Sequence, residues 1–252
     1  MKRGNKGGKS KSATKSRFTI EGEAALLEYA RYKPEAILSV NATDATRAKL
    51  VDDLSRLGLD VPVNPLSGGH DRDGRSSPVK AEVRLAMQSE ADLMDAIETR
   101  SPPCVLALDH ITDPRNLGAI VRSAAYYGVS HVVVPERRQV LLTDASVGTS
   151  QGGFARTNLV CVVNLGRTVT ALKDKGYWVL GAAMNGEPLE QLAGTYDKTV
   201  LVLGAEDKGL SAGLEKKSDR LIAITGPGGE AGGLDSLNVA VAAGILLHGL
   251  SR

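Results

Sequence analysis

Three segments of the chain gather glycine, carboxylate, amide and guanidinium groups. The first reads Asp109-His110-Ile111-Thr112-Asp113-Pro114-Arg115-Asn116-Leu117-Gly118-Ala119-Ile120-Val121-Arg122. Asn116 is placed to cap a helix that follows, and Gly118 and Arg122 then share one face of it, a turn apart. A cation near a helix's amino end gains nothing from the dipole, which is already positive there. An anion or electron-rich ligand would compensate it, and a solvated surface arginine is the equally open alternative. The second segment, Val200-Leu201-Val202-Leu203-Gly204-Ala205-Glu206-Asp207-Lys208-Gly209-Leu210, is a buried type of strand running into a loop. Its two glycines permit positive φ and let a ligand touch the backbone. The third follows Leu221-Ile222-Ala223-Ile224 and holds Gly226, Gly228, Gly229, Gly232 and Gly233 before Asp235-Ser236-Leu237-Asn238. Ser236 or Asp235 would cap the last helix and leave Asn238 on its first turn.

Other chemistries find no footing. Gly226-Pro227-Gly228-Gly229-Glu230-Ala231 fits a dinucleotide fingerprint, yet only 21 residues follow it, too few for the second strand and ribose-binding acid of such a unit. No nucleophile elbow, phosphate loop or metal-ligand spacing is present. His70, His110, His131 and His248 are scattered singly and read as surface or packed residues.

The elements that must position the three segments follow from apolar spacing. Val105 to Asp109, His131 to Val134, Leu159 to Val163, Tyr177 to Ala182, Thr199 to Leu203 and Leu221 to Ile224 read as strands. Leu117 to Tyr127 and Val169 to Lys175 read as helices, with a last helix from Leu237. Val- and Leu-rich strands alternating with helices predict an α/β fold with a parallel sheet covered on both faces. Ligands of such sheets sit at the carboxyl ends of the strands. Upstream, a helix around Ala24 to Tyr29, a strand from Ala36 to Val40, a helix from Thr46 to Leu57 stopped at Gly58, a strand from Val79 to Ala86 and a helix from Glu90 to Thr99 predict a smaller α/β unit. Leu66 to Pro78 reads as an exposed loop.

The chain has 252 residues, 42% of them hydrophobic, enough for a sizeable core. Cys104 and Cys161 lie in apolar runs as free thiols, which suggests a reducing, cytoplasmic setting. No run approaches the roughly 20 apolar residues of a membrane span. The net charge of +2 hides an asymmetry, since seven of the 31 basic residues precede the first acid, Glu21, leaving 24 against 29 acidic residues. A Gly/Ser/Lys tail of this kind is expected to be disordered and to pair with a polyphosphate such as RNA; a merely solubilising tail is the alternative.

The three segments, in this order, resemble the three motifs of the TrmH (SpoU) family of SPOUT RNA methyltransferases. Asp113-Pro114-x-Asn116-Leu117-Gly118-x-x-x-Arg122-Ser123-Ala124 is similar to the first, Leu203-Gly204-Ala205-Glu206-x-x-Gly209 to the second, and Ser236-Leu237-Asn238-Val239-Ala240-x-Ala242 to the third. Phe18 to Ile97 resembles, less strongly, the RNA-binding substrate domain of the 23S rRNA guanosine 2′-O-methyltransferase branch. The resemblance implies a disordered tail at 1–17, a substrate domain at 18–98, a linker at 99–103 and a SPOUT domain with a deep trefoil knot at 104–252. It implies S-adenosylmethionine as cofactor, held by Leu203, Gly204, Gly209, Ile224 and Leu237. Arg122 would act at a ribose 2′-hydroxyl, with Asn116, Glu206, Ser236 and Asn238 around it and no metal. The partners implied are RNA, rRNA before tRNA, and a second copy of the chain. A tRNA enzyme and a non-catalytic RNA-binding assembly factor are the other readings.

Overall fold

The computed structural model describes residues 16–66, 77–137, 142–192, 196–226 and 236–251. Tail residues 1–15, residues 67–76 of the expected loop and residues 227–235 of the Gly-rich segment lie outside them.

The first unit runs β1 (Ser16–Glu21), α1 (Glu23–Tyr32), β2 (Ile37–Ala42), α2 (Asp44–Arg56), β3 (Val63–Pro65) and β4 (Val79–Leu85). Its sheet has the order β1-β4-β2-β3, with β1 and β2 antiparallel to β4. In β4, Val79, Ala81, Val83 and Leu85 are buried while the residues between them are not, the period-2 alternation of a sheet covered on one face. β1 carries Ser16 and Arg17, expected in the tail, into the sheet. The alternation of buried Phe18 and Ile20 with exposed Arg17, Thr19 and Glu21 could have shown it.

The remainder begins with α3 (Glu90–Arg100) and continues through β5 (Cys104–Leu108), α4 (Pro114–Tyr126), β6 (His131–Pro135), α5 (Asp144–Thr149), α6 (Gly153–Arg156), β7 (Asn158–Val162), α7 (Leu165–Asp174), β8 (Trp178–Pro188), β9 (Thr199–Leu203), α8 (Ala212–Glu215), β10 (Arg220–Ala223) and α9 (Val239–Leu250). The six strands are all parallel, in the order β10-β8-β9-β5-β6-β7. Alternation divides the sheet's side chains between two apolar clusters. Leu106, Leu108, Leu180, Leu201 and Leu203 face one side, packed with α4, α9 and the first unit. Val105, Val133, Val160, Val179, Val200 and Val202 face the other, with α3 and α7. The strands are thus buried on both faces, which is why they read as continuous apolar runs.

Packing moves one expected boundary. Leu93 and Ile97 of α3 join the valine face of the large sheet. Just before α3, Gln88 pairs with the β7 edge through Gln88 N–H to Leu159 O (2.8 Å) and Cys161 N–H to Gln88 O (2.9 Å). By contacts the chain therefore divides before Gln88, not at residues 99–103. Helical spacing places a buried face on α3 but does not say against what it packs. The division is one of sheets only, since a single apolar cluster runs from Phe18 and Ile20 through to Leu201 and Leu246. At the seam, the Lys33 ammonium donates to Phe154 O (3.1 Å) and Asn158 Oδ1 (3.2 Å), and burial pulls its pKa down. Arg156 stacks over the Tyr32 ring at 4.6 Å.

Burial pushes the Cys104 thiol up to about 11 and also raises that of Cys161, so both are poor nucleophiles near neutral pH. Among the described residues no helix is long and apolar enough to cross a membrane.

Candidate active site

The three chemistry-bearing segments meet at the carboxyl ends of β5, β9 and β10. Glu206 joins them. Its Oε1 accepts from Asn116 Nδ2 (3.1 Å), Asn238 Nδ2 (2.7 Å) and the Val239 amide (3.0 Å), and Asn238 Nδ2 also reaches Asn116 Oδ1 at 3.1 Å. A carboxylate at the first amides of α9 also suits the positive end of that helix, a contribution of about 0.3–1 kcal/mol. One side chain from the β9 loop thus fixes the start of α9 against the first turn of α4.

Both expected caps are corrected. α4 is capped by Asp113, whose Oδ1 accepts from the Arg115 amide at 2.7 Å, with Pro114 at the first helical position. Asn116 is left free to face Glu206. The proline was the available signal, because it is preorganised for that position and has no N–H to satisfy. α9 is capped by Asn238 rather than Ser236 or Asp235, its Oδ1 accepting from Ala240 N (3.0 Å) and Val241 N (3.3 Å). The last helix accordingly starts at Val239, two residues later than read.

Gly204 and Gly209 close the β9 loop on itself. Ala205 and Gly209 exchange backbone hydrogen bonds of 3.1 and 2.8 Å, and Gly209 has φ +64. A Cβ on Gly204 would overlap the Gly209 carbonyl and the Leu210 amide. Gly118 has a different use from the one expected: a Cβ there would strike Ser146 O and lie 2.7 Å from Thr149 Cβ. It lets α5 pack directly on α4. Gly153 does the same for α6, where an added Cβ would sit 3.1 Å from Val121 O and 3.2 Å from the Arg122 backbone.

The other expected residues are more dispersed. Leu203 is buried at the end of β9, Ile224 is half-buried just past β10, and Ser236 and Leu237 are exposed ahead of α9. Arg122 lies six residues beyond Asn116, about 9 Å along the helix. It is exposed, makes no hydrogen bond or ion pair among the described residues, and stands outside the Glu206 cluster.

His110, expected to be a surface or packed residue, also belongs here with Asp109. Asp109 is 3% exposed; one carboxylate oxygen meets His110 Nδ1 at 2.6 Å and the other accepts from the Ser211 amide at 2.9 Å. His110 takes φ +63, a left-handed conformation costing a non-glycine residue about 1–2 kcal/mol. It lines a cavity of 710 Å³ together with Asp113, Asn116, Glu206, Asp207, Lys208 and Val239. The local sequence gave no sign of this, because the amide that holds Asp109 lies 102 residues away.

Comparison with known proteins gives this architecture its family. Residues 103–248 match the model of the SpoU rRNA Methylase family. A tRNA/rRNA methyltransferase of Mycobacterium avium (strain 104), itself described as uncharacterized, is 34% identical over 250 residues, covering 95% of this chain and 78% of the relative. Among solved structures, the SpoU methyltransferase AviRb from Streptomyces viridochromogenes, in complex with the cofactor AdoMet, superposes with a TM-score of 0.72 at 22% identity, over 94% of this chain and 90% of the other. The AdoMet-bound rRNA methyltransferase of Sinorhizobium meliloti gives 0.68 at 18%, over 93% and 86%. The chain belongs to the SpoU rRNA methylase family, a family of RNA methyltransferases.

Proposed function

We propose that the chain transfers a methyl group from S-adenosylmethionine to the ribose 2′-hydroxyl of a guanosine in large-subunit rRNA, in the cytoplasm. The observation that carries this reading is the hydrogen-bonded Asn116–Glu206–Asn238 cluster, which brings one residue from each of the three motif segments to one place. The groups present suit the cofactor. Apolar Ile224 and Leu237 offer surface for an adenosyl group, the glycines of the β9 loop that follows buried Leu203 expose backbone, and Glu206 and Asp207 supply the negative charge that a sulfonium favours. Bound there, the cofactor supplies an electrophilic methyl group. The protein's part is alignment of oxygen, carbon and sulfur and stabilisation of the developing alkoxide. Arg122, permanently charged and without a hydrogen-bond or ion-pair partner among the described residues, is the residue for the second task. The solved rRNA methyltransferase of Sinorhizobium meliloti, matched over 86% of its own length, supports rRNA, and the basic tail suits a polyanion.

The same reading includes a homodimer and the knotted form of the large sheet. On α9, Val241 and Ile245 are 51% and 39% exposed one turn apart, with Leu237 just ahead of the helix at 48%, and Tyr126 near the end of α4 is 80% exposed. An apolar stripe of this kind calls for cover. A second copy of the chain would provide it and would carry another Arg122 to the edge of the site. Ile245→Glu is expected to shift the protein to monomers in sedimentation and to reduce methyl transfer, with little change in melting temperature; an unchanged dimer would remove α9 from the interface.

The direct test is transfer of labelled methyl to total RNA from cells lacking the protein, followed by nuclease digestion and mapping. A 2′-O-methylguanosine at one large-subunit position is expected. A methylated base would overturn the ribose assignment, and a tRNA position the choice of substrate.

A further inference from the structure

The cavity beside the β9 loop shares Glu206, Asp207 and Gly209 with the groups that suit the cofactor and extends from them to the loop after β5. Strand order sets β9 between β5 on one side and β8 and β10 on the other. Ile224, after β10, and His110 to Asp113, after β5, therefore flank the β9 loop from opposite sides, and neither Ile224 nor Leu237 lines the cavity. Its 710 Å³ is ample for a nucleoside. Among the described residues its formally charged lining consists of the carboxylates Asp113, Glu206 and Asp207 against Lys208, which pairs with Asp207 at 3.9 Å. Such a lining repels phosphate and suits an uncharged sugar and base that bring hydroxyl and N–H donors.

We propose that this cavity receives the target nucleoside, turned out of its RNA strand, and that Asp109 and His110 form the hydrogen-bonding arm that holds it there. The inference rests on the methyltransferase reading above. Asp109 is buried and both its oxygens are engaged, so it fixes the imidazole rather than meeting a ligand. With Nδ1–H directed at Asp109, Nε2 is the ring nitrogen left open, and in that tautomer it accepts a hydrogen bond. The left-handed turn does not explain the imidazole, because glycine or asparagine fills such a position with less strain. A partly exposed histidine held in a strained conformation by a buried carboxylate, on the wall of a cavity, is a built group. His110 acts as a positioning and specificity residue: the hydroxyl or N–H that it accepts sets how the nucleoside lies relative to the Glu206 cluster.

The test compares full-length wild type with His110→Asn, which tolerates the left-handed turn but is too short to make the same contact. Melting temperature is expected to stay within about two degrees and S-adenosylmethionine affinity within about twofold, while the RNA KM rises about tenfold, the effect of one lost hydrogen bond. His110→Gln, with an acceptor of longer reach, should recover part of the loss. His110→Gly, which relieves the turn, serves if the asparagine variant is unstable and should show the same rise in KM. An unchanged RNA KM in a folded variant overturns the proposal. So does weakened cofactor affinity with unchanged RNA KM, which would make the cavity an adenosyl pocket. A wild-type protein that binds RNA but transfers no methyl group would instead overturn the underlying methyltransferase reading, and the role of His110 with it.

Discussion

Arg122→Ala is expected to keep the fold and the affinity for S-adenosylmethionine while methyl transfer falls about 10²- to 10³-fold, the usual effect of removing one preorganised group that stabilises a developing anion. The structure makes this a clean experiment. Arg122 is exposed and has no hydrogen bond or ion pair among the described residues, so its truncation breaks nothing within the chain. Exposed substitutions of that kind change stability by about 0.5 kcal/mol or less. A large loss of activity must then come from substrate or from the second protomer. Mixing Arg122→Ala with an inactive Glu206 variant separates the two: recovered activity in the mixed dimer means that each site draws its arginine from across the interface. Full activity in Arg122→Ala would remove it from the mechanism.

Gly204→Ala is the second substitution with a large expected effect, through geometry alone. The added methyl would occupy the space of the Gly209 carbonyl and the Leu210 amide, so the β9 loop must open and lose the paired bonds between Ala205 and Gly209. Overpacking of backbone against backbone costs about 1–3 kcal/mol, and Glu206 moves with the loop. The expected result is a melting temperature lowered by several degrees and a cofactor affinity weakened by about a hundredfold, measured by calorimetry. Gly213→Ala is the control. Nothing lies within 4 Å of a Cβ there and the residue is helical, so that variant should bind as wild type does. Equal behaviour of the two variants would mean that the β9 loop does not shape the cofactor site.

Much of this architecture was legible in the residues. The strands of the large sheet were found because their Leu and Val runs are buried on both faces, and α4 and α7 because their apolar spacing is strong. Elements with little apolar content escaped: α5 and α6 are six and four residues long, too short to show a period. So did the use of Gly118, which a ligand or a close helix would equally require. The roles within the site divide in the same way. Glu206, Asn116 and Asn238 were nameable from type and spacing, but which of them caps a helix and which faces its neighbours is decided by tertiary contacts. Asp109 looked like the end of a strand until the Ser211 amide came beside it.

The seam between the units reaches further than its own contacts. α1 of the first unit rests on α6, where an added Cβ at Gly152 would lie 2.9 Å from Glu28, and the next residue, Gly153, abuts the backbone of Arg122. Closely packed layers transmit displacement instead of absorbing it. The first unit is therefore less an appended handle than the long arm of a lever, with the helix that bears Arg122 as its short arm. On the proposed function, RNA held by the first unit would be felt at Arg122, and by thermodynamic reciprocity a site assembled around its nucleoside would tighten that hold.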